Sequence, residues 1–571
     1  MVDVLKGLNL EYLAINPASC FRGLHESVVN HGNNQAPEIL TCVHEEIACA
    51  IAQGYAKIEG RPLGVALHGT VGLQHAAMAL YNAYCDKIPI YVLIGNMVDA
   101  TKRGPGIEWV HSAQDPAALV RDFIKWDDQP GSLQQFAESA LRAYKIAMTP
   151  PMGPVLLSLD AELQENPIEG PQRPWIPKLP QLRYPVGDAG AVSEVAKLLA
   201  NAEFPVLVAD RMARTQGGMD RLVELAELLQ CAVIDQGGRT NFPSQHALNH
   251  TFRAKDILRQ ADVVVGLELG DYWGTLHSFN DRIVRREASI TRPDVKTISI
   301  GTGDIFIKSN YQDFQRFEGV DVSVMGDGEA TLPALLEAVK SQMNADRRSA
   351  VQGRGSKLGD GHAKLIEALR SRAAIGWDAS PITTGRLCAE LWNEIRSEDW
   401  SLVGNGLGNI WPRGLWDSRK FYSFTGSSGG IGMGYGAPGA LGAALANRKH
   451  GRISVAIQGD GDLMYTLGTL WTAAHHRIPL LYVVHNNRAY NQERMHLQVM
   501  SGRRMRGLDN VHIGTTLIDP DIDFATVAKG LGVYAEGPIT DSKELGPALK
   551  RALTLVKRGE PALLDVITEA R

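Results

Sequence analysis

Short apolar segments recur along the chain at intervals that suit an alternation of strands and helices. Residues 64–68 and 88–95 are two such segments, and between them residues 73–84 carry apolar side chains at helical spacing. Brief, almost wholly apolar strands separated by helices are typical of a parallel sheet that is covered on both faces. The first part of the chain is therefore predicted to be an α/β domain.

The same alternation occurs twice more, which predicts two further domains. Strands of a second and a third sheet are predicted at 205–210, 231–235, 262–267, 455–458 and 480–484. A proline-rich stretch at 165–187 and a polar stretch at 345–364 are predicted to be linkers. The predicted fold class is thus α/β, with three consecutive domains of parallel sheet at residues 1–180, 188–345 and 375–571.

Length, charge and cysteine content agree with this division and narrow the classes of function. The 571 residues exceed the roughly 250–300 residues at which a single core stops growing. A net charge of −5 does not favour nucleic acid or an anionic membrane as a partner. The six cysteines form no CxxC pair, which is typical of buried thiols in a reducing compartment. Since the sequence shows neither a signal peptide nor an apolar run of 18 residues, we predict a cytoplasmic location.

Polar residues that suit a metal ion follow two predicted strands of the third domain. Asp460 comes after the strand at 455–458, within the segment GDGD, and Asn487 comes after the strand at 480–484. Ligands of open parallel sheets bind at the carboxyl ends of the strands, and Mg²⁺ prefers oxygen ligands. We therefore expect Asp460, Asn487 and the backbone carbonyl of Ala489 to bind Mg²⁺.

The arrangement of these residues resembles the fingerprint of thiamine-diphosphate enzymes, in which a GDG segment is followed at a fixed interval by NN. Asn487 lies 27 positions after Asp460 (487 − 460). The resemblance covers nearly the whole chain and is to the superfamily of acetohydroxyacid synthase, benzoylformate decarboxylase and pyruvate decarboxylase. It implies a pyrimidine-binding, a middle and a diphosphate-binding domain, with thiamine diphosphate and Mg²⁺ as cofactors. The cofactor-binding residues that it implies are Gly408, Asn409, Met433, Gly459, Gly461, Asp462 and Asn486.

Four of these residues need a further comment. Gly408 and Asn409 belong to the segment GNGLGN, which resembles a loop above the diphosphate. Met433 belongs to GIGMGYGAP, which resembles the loop that bends the cofactor, so its side chain is expected between the two rings. Asp462 departs from the family, where Ser or Ala is common, and its role is left open.

The resemblance also implies an activating carboxylate in the first domain. Residues 44–56, HEEIACAIAQGYA, are similar to a helix of the family whose glutamate interacts with N1′ of the cofactor's aminopyrimidine. This glutamate acts as a general acid–base catalyst. By this match Glu45 is the activating residue, and Glu46 is the competing candidate. Family members bring this glutamate and the metal site together across a subunit interface, which implies a homodimer or homotetramer.

Three further residues are expected near the reacting carbon. His68 follows Glu45 by 23 positions (68 − 45), as a histidine does in benzoylformate decarboxylase, and would move a proton at the oxygen of the intermediate. Ser19 resembles a serine that binds the substrate carboxylate, with His25 as its rival. Gln114, within SAQD, resembles a glutamine of acetohydroxyacid synthases.

These features predict a decarboxylase or carboligase that forms or cleaves a bond next to a carbonyl group. The expected substrate is a 2-oxo acid or a 2-hydroxy ketone, with an aldehyde as the acceptor in a ligation. The alternatives are an oxidase or acyl-CoA lyase, a C–C hydrolase and a non-catalytic subunit that binds thiamine diphosphate. FAD is not expected, since Asn96 stands where acetohydroxyacid synthases often have Gln, but it is not excluded. His277 is a candidate acid–base group from the middle domain.

Overall fold

A computed structural model describes residues 1–168, 173–279, 286–308, 316–408 and 410–569 of the chain. These residues form three α/β units in sequence, each built around its own parallel sheet, which confirms the predicted fold class. No helix within the described ranges is long and apolar enough to cross a membrane.

The first domain contains a six-stranded sheet in the order β2-β1-β3-β4-β6-β5. Its strands are β1 (Tyr12–Ile15), β2 (Glu38–Thr41), β3 (Gly64–Leu67), β4 (Tyr91–Asn96), β5 (Trp126–Asp128) and β6 (Val155–Asp160). Its helices are α1 (Val2–Gly7), α2 (Arg22–Asn30), α3 (Glu45–Glu59), α4 (Thr70–Cys85), α5 (Ile107–His111), α6 (Leu133–Met148) and α7 (Ala161–Glu165). The central strands are buried on both faces, as their apolar sequences predict.

The middle domain contains a five-stranded sheet in the order β13-β12-β9-β7-β8, beside the short antiparallel pair β10 and β11. Its strands are β7 (Pro205–Ala209), β8 (Ala232–Asp235), β9 (Val263–Leu267), β10 (His277–Phe279), β11 (Glu287–Ser289), β12 (Lys296–Gly301) and β13 (Val322–Met325). Its helices are α8 (Ala189–Asn201), α9 (Gln216–Leu229), α10 (Ala254–Leu258), α11 (Tyr272–Leu276) and α12 (Gly328–Gln342).

The third domain contains a five-stranded sheet in the order β14-β15-β16-β18-β17, preceded by a long connecting helix, α13 (Ala345–Ala373). The strands are β14 (Trp400–Asn405), β15 (Ile453–Gly459), β16 (Leu481–Asn486), β17 (Tyr534–Ile539) and β18 (Ala562–Ile567). The helices are α14 (Thr384–Ile395), α15 (Ile410–Leu415), α16 (Gly436–Arg448), α17 (Asp460–Tyr465), α18 (Gly468–His475), α19 (Asn491–Arg503), α20 (Phe524–Gly530) and α21 (Ser542–Lys557).

The stretch at 345–364, predicted to be a linker, is helical and forms most of α13, which connects the middle and third domains. Its few apolar side chains include Val351, Leu358 and Ile366, which lie seven and eight positions apart (358 − 351 and 366 − 358), about two helical turns, and are buried. The Arg354 guanidinium donates to the carbonyl oxygens of Leu229 and Gln230 at the end of α9. Packing on the middle domain therefore stabilises a helix that its polar composition does not favour.

The first and third domains are joined by close packing of α3 against α16. A Cβ atom at Gly54 would lie 1.8 Å from the carbonyl oxygen of Gly439, and one at Gly442 would lie 1.9 Å from that of Ile51. Only glycine permits such close approach of two backbones. The small residues of the 44–56 motif thus set the position of α3, and with it Glu45, relative to the third domain.

Candidate active site

The predicted metal ligands lie together at the carboxyl end of the third sheet. Asp460 directly follows β15, and Asn487 directly follows the neighbouring strand β16. The backbone N–H of Ala489 donates to Asp460 Oδ2 at 3.3 Å and to Asn487 Oδ1 at 3.0 Å. A carboxylate, an amide oxygen and a backbone segment with its own carbonyl therefore share one small region.

The electrostatics of this region suit a hard cation. Asp460 is 4% exposed, and burial raises the pKa of its carboxyl group. Backbone N–H groups, among them that of Gly461 at 2.8 Å, partly oppose this effect. A divalent cation would favour the ionised carboxylate at a buried position, and the donor set of carboxylate, amide and carbonyl oxygens fits Mg²⁺.

The two glycines that flank Asp460 differ in what surrounds them. A Cβ atom at Gly461 would lie 2.4 Å from the ring of Tyr490, so protein packing alone requires glycine there. A Cβ atom at Gly459 would meet only Asp462 Cβ, at 3.9 Å. The backbone at Gly459 is therefore open to a ligand that approaches closely.

Asn486 supports the metal site from within the fold. It is 3% exposed, its Nδ2 donates to Asp565 Oδ1 at 2.9 Å, and its Oδ1 accepts from the N–H of Arg488 at 3.3 Å. Burial raises the pKa of Asp565 to about 6. These contacts fix the turn that follows β16 and so orient Asn487.

Asp462 was predicted to bind the cofactor, and both of its carboxylate oxygens accept hydrogen bonds from groups of the protein. Oδ1 accepts from the N–H of Gly434 at 2.7 Å, and Oδ2 accepts from the N–H of Gly436 at 3.1 Å and from Gln458 Nε2 at 2.6 Å. Asp462, whose role was left open, thus holds the loop before α16 through these contacts.

The loop that carries Met433 presents apolar side chains outward. Met433 is 40% exposed and Ile431 is 80% exposed. Asn82 of α4 accepts from the N–H of Gly432 at 3.0 Å and donates to its carbonyl at 3.3 Å. The loop is thus fixed by the first domain, with its apolar side available for a ring system.

The segment after β14 also forms a turn at the same sheet edge. Gly408 has a φ of +73°, and its carbonyl accepts from Asn405 Nδ2 at 2.6 Å. A residue other than glycine would be strained at this φ. The predicted cofactor contact of Asn409 lies outside the described residues.

Glu45 is the first residue of α3, and its carboxylate is held by α4. The Glu45 side chain is 7% exposed, and its Oε2 lies 3.2 Å from His75 Nδ1. A Cβ atom at Gly72 would lie 2.8 Å from Glu45 Oε1. The structure therefore confines this carboxylate on two sides, and His75 is a contact that the sequence reasoning missed.

Glu46 points to a different neighbourhood. Its Oε1 packs against Gly434, where a Cβ atom would lie 2.8 Å away. Burial, together with the negative charge of Asp462, raises the pKa of Glu46 to about 7. Glu46 thus belongs to the contact between the first and third domains.

His68 lies at the centre of a cluster with Cys20 and His111. Its Nε2 is 3.1 Å from His111 Nδ1, and its Nδ1 is 3.5 Å from Cys20 Sγ. Burial, and then the charge of His111, lower the pKa of His68. Burial also raises the pKa of the Cys20 thiol to about 11, so this thiol stays protonated at neutral pH. His111 was not foreseen, since nothing in its local sequence links it to His68.

A small enclosed cavity adjoins this cluster. Its lining includes Ser19, Cys20, Arg22, His68, Asn96 and His111. Ser19 is exposed at the start of the segment before α2, so the structure places the predicted serine and His68 beside the same cavity. Gln114 is exposed and is not part of the lining, whereas Asn96 donates to the carbonyl of Ala113 at 2.9 Å. The segment 107–114, which begins with α5, therefore contributes His111 to the cavity lining, whereas Gln114 lies outside it.

A larger cavity of about 440 Å³ lies between the three domains, at the carboxyl ends of the middle-domain strands. Its charged lining includes Arg211, Arg214, Arg239, Asp210 and Glu268. Arg211 pairs with Asp210, and Arg214 pairs with Asp327. His277 begins β10 and stacks on Trp273, with ring centroids 4.4 Å apart.

Comparison with known protein families assigns all three domains. Residues 1–119 match the N-terminal binding domain of thiamine pyrophosphate enzymes, residues 192–335 match their central domain and residues 404–566 match their C-terminal binding domain. Each match falls on one of the three sheets described above.

Curated relatives are similar over almost the full length. The chain is 25% identical to benzoylformate decarboxylase of Pseudomonas aeruginosa over 566 residues, covering 96% of each chain. It is 24% identical over 545 residues to a probable acetolactate synthase large subunit of Methanocaldococcus jannaschii, covering 92% of this chain and 84% of the relative.

Solved structures show the same fold. Benzoylformate decarboxylase from Polynucleobacter necessarius superposes with a TM-score of 0.77 at 18% identity, covering 100% of this chain and 98% of the other. The three matched domains and the full-length relatives agree, and the chain belongs to the thiamine-diphosphate-dependent enzymes of the decarboxylase and acetolactate synthase group.

Proposed function

We propose that this enzyme decarboxylates a 2-oxo acid, and joins the resulting fragment to an aldehyde when one is available. The observation that supports this most is the cavity beside His68, which combines a hydroxyl group, two imidazoles and a nearby guanidinium. Ser19 suits a carboxylate, and so does Arg22 if its guanidinium, which pairs with Glu108 and Glu165, exchanges one of these partners; the imidazoles suit proton transfer at an adjacent oxygen. The relatives named for benzoylformate and acetolactate chemistry act on substrates of this class.

In this proposal Mg²⁺ is bound by Asp460, Asn487 and the carbonyl of Ala489, and thiamine diphosphate by the loops around Gly408, Met433 and Gly459. When bound, the cofactor supplies a carbon nucleophile and an electron sink beside the substrate carbonyl.

Glu45 holds a proton at the aminopyrimidine N1′. Its low exposure favours this, since a carboxyl group shielded from water forms a stronger directed hydrogen bond.

His68 then moves a proton at the oxygen of the former carbonyl group. Its lowered pKa keeps the imidazole neutral near pH 7, as a proton acceptor requires. His111 Nδ1 lies 3.1 Å from His68 Nε2, so the two imidazoles can share the proton. An enclosed, partly apolar cavity favours loss of CO₂, because charge on the substrate carboxylate disappears along the reaction.

We further propose that the working form is at least a homodimer. The apolar side chains of Met433 and Ile431 are exposed near the sheet edge that carries the proposed metal ligands. The helix α19, which follows these ligands in sequence, has no buried residue. A second copy that brings its own first domain to this edge would cover these residues and deliver its Glu45 to the cofactor.

The direct test uses purified protein with thiamine diphosphate and Mg²⁺. Benzoylformate, pyruvate and 4-hydroxybenzoylformate are offered singly, and CO₂ and aldehyde are measured; added aldehyde then tests ligation by mass spectrometry. Turnover that disappears in Glu45→Gln supports the proposal. Bound cofactor without CO₂ release from any 2-oxo acid would overturn it.

The cavity between the three domains favours a second candidate, an oxidase or acyl-CoA lyase. Its volume of about 440 Å³ is within the range of small-molecule sites, and its three arginines suit phosphate groups. Flavin absorbance in the purified protein, or cleavage of a 2-hydroxyacyl-CoA with Glu45 intact, would favour this function over the first.

A further inference from the structure

We propose that His75 is a positioning residue, which fixes the carboxylate of Glu45 by donating a hydrogen bond from Nδ1. This inference rests on the proposed function, because it concerns the residue that would activate the cofactor. His75 belongs to α4, and its Nδ1 lies 3.2 Å from Glu45 Oε2. In the proposed arrangement the imidazole carries its proton on Nδ1 and donates it to this carboxylate oxygen, which accepts.

The two oxygens of Glu45 are confined by residues one helical turn apart. Oε2 faces His75, and Oε1 lies against Gly72, where there is no room for a Cβ atom. Positions three apart on a helix share a face. One face of α4 thus leaves space for the Glu45 carboxylate at Gly72, which has no side chain, and places the imidazole of His75 beside it as a hydrogen-bond donor.

His75 is itself held in place, although its side chain is 57% exposed. Its ring stacks on that of His44, with centroids 4.7 Å apart and planes inclined by 13°. His44 is the N-cap of α3, and its Nδ1 accepts from the N–H of Glu46 at 3.2 Å. The start of α3 therefore fixes His44, and the His44 ring supports that of His75 by stacking. His75 in turn donates a hydrogen bond to Glu45, the first residue of α3.

These three residues also resemble a metal site, since ligand atoms of His44, Glu45 and His75 lie within 4.8 Å of one another. A metal ion binds in the plane of an imidazole ring. Two stacked, nearly parallel rings have no common point in both planes, so they cannot share an ion without rotating. His44 Nδ1 is moreover engaged by the N–H of Glu46. The geometry favours a hydrogen-bonded unit over a metal centre.

Orientation matters because Glu45 must direct one carboxyl oxygen at one ring nitrogen. A displacement of about 1 Å in such a contact can cost 10²-fold in rate. At the start of a helix, a glutamate side chain has several rotamers. The His75 hydrogen bond selects one of them before the cofactor arrives.

The test compares His75→Asn with His75→Leu. The amide nitrogen of Asn can occupy the position of Nδ1 and keep the donor, whereas Leu fills similar space without one. His31→Asn is the matched control, since His31 also bonds to a carboxylate, that of Asp3 at 2.9 Å, but on an exposed surface of the first domain. With saturating cofactor, we expect kcat of the Leu variant to fall about 10–100-fold, with KM for the oxo acid little changed. The Asn variant should keep most of its activity.

A second measurement needs no turnover. In cofactor-free protein, ¹⁵N NMR of the histidine rings reports which nitrogen carries the proton, and the His75 signal is the one missing from His75→Asn. A protonated Nδ1 in the wild type supports the proposal, whether or not any oxo acid is a substrate. An unprotonated Nδ1, full kcat in the Leu variant, or equal damage in the Asn and Leu variants with the fold intact would each overturn it.

Discussion

The two ends of the proposed site are built in different ways. At the metal end, each functional side chain directly follows a strand, and Asn487 is oriented by a hydrogen bond within its own turn, from the N–H of Ala489, with support from Asp565 through Asn486. At the carboxylate end, Glu45 depends on Gly72 and His75, which belong to another helix. The first arrangement is more local than the second, so they should respond differently to substitution.

The strongest test of the metal end is Asp460→Asn, which keeps the shape and removes the charge. We expect Mg²⁺ and thiamine diphosphate to bind far more weakly, by more than the roughly 10–100-fold that loss of a supporting residue costs. Calorimetric titration of the cofactor measures this directly. Asp462→Asn is the matched control two residues away, and should weaken binding less, since Asp462 holds a loop. The reverse order of effects would contradict the assignment of the two residues.

The carboxylate end is tested by Glu45→Gln. Loss of general acid–base work is expected to lower kcat by about 10²–10⁴-fold, while cofactor affinity changes only slightly. Steady-state kinetics and cofactor titration on the same preparation separate the two quantities. Glu46→Gln removes the neighbouring charge and should keep most of the activity. If Glu46→Gln were the more damaging change, the two glutamates would have to exchange roles.

The same contrast explains what could be predicted from the sequence. Apolar segments identify some buried strands of each sheet, namely β3, β4, β7, β8, β9, β15 and β16, and the ends of β15 and β16 place Asp460 and Asn487, because these depend on spacing alone. The helix α13 was missed, since Val351 and Leu358 form too sparse a stripe to outweigh its glycines and charged residues. The role of Asp462 was missed as well, because its partners Gly434 and Gly436 lie 28 and 26 positions earlier in the chain.

A smaller effect is expected at His111, whose contact with His68 also crosses elements. The charge of His111 is the second cause of the lowered pKa of His68, after burial. Without that charge, as in His111→Gln, the pKa of His68 should rise and the imidazole should become protonated at a higher pH. The fall of kcat/KM on the acid side of the pH profile would then begin at a higher pH. Loss of the proton that His111 shares with His68 should also lower kcat/KM at neutral pH by about tenfold. A pH–rate profile that stays in place would show that His111 does not act through His68.

The smallest effect concerns stability, at the contact where Glu46 meets the third domain. Burial and Asp462 raise the pKa of Glu46 from its ordinary 4.5 to about 7. Between these pH values the folded protein keeps a proton that the unfolded chain has released, so the free energy of unfolding decreases as pH rises through this window. Gln cannot ionise, so Glu46→Gln should be more stable than the wild type at pH 8 and lose this advantage near pH 4.5.

The expected gain at pH 8 is modest because Glu46 is partly solvated, which screens its interaction with Asp462. A rise in Tm of about 2–4 °C is the shift that ~1 kcal/mol produces in domains of 150–250 residues. Thermal denaturation of cofactor-free protein at both pH values measures it. An equal Tm difference at pH 4.5 and pH 8 would mean that Glu46 acts through packing. A difference confined to pH 8 would mean that the ionised carboxylate opposes the contact between the two domains, next to Glu45, the glutamate proposed to activate the cofactor.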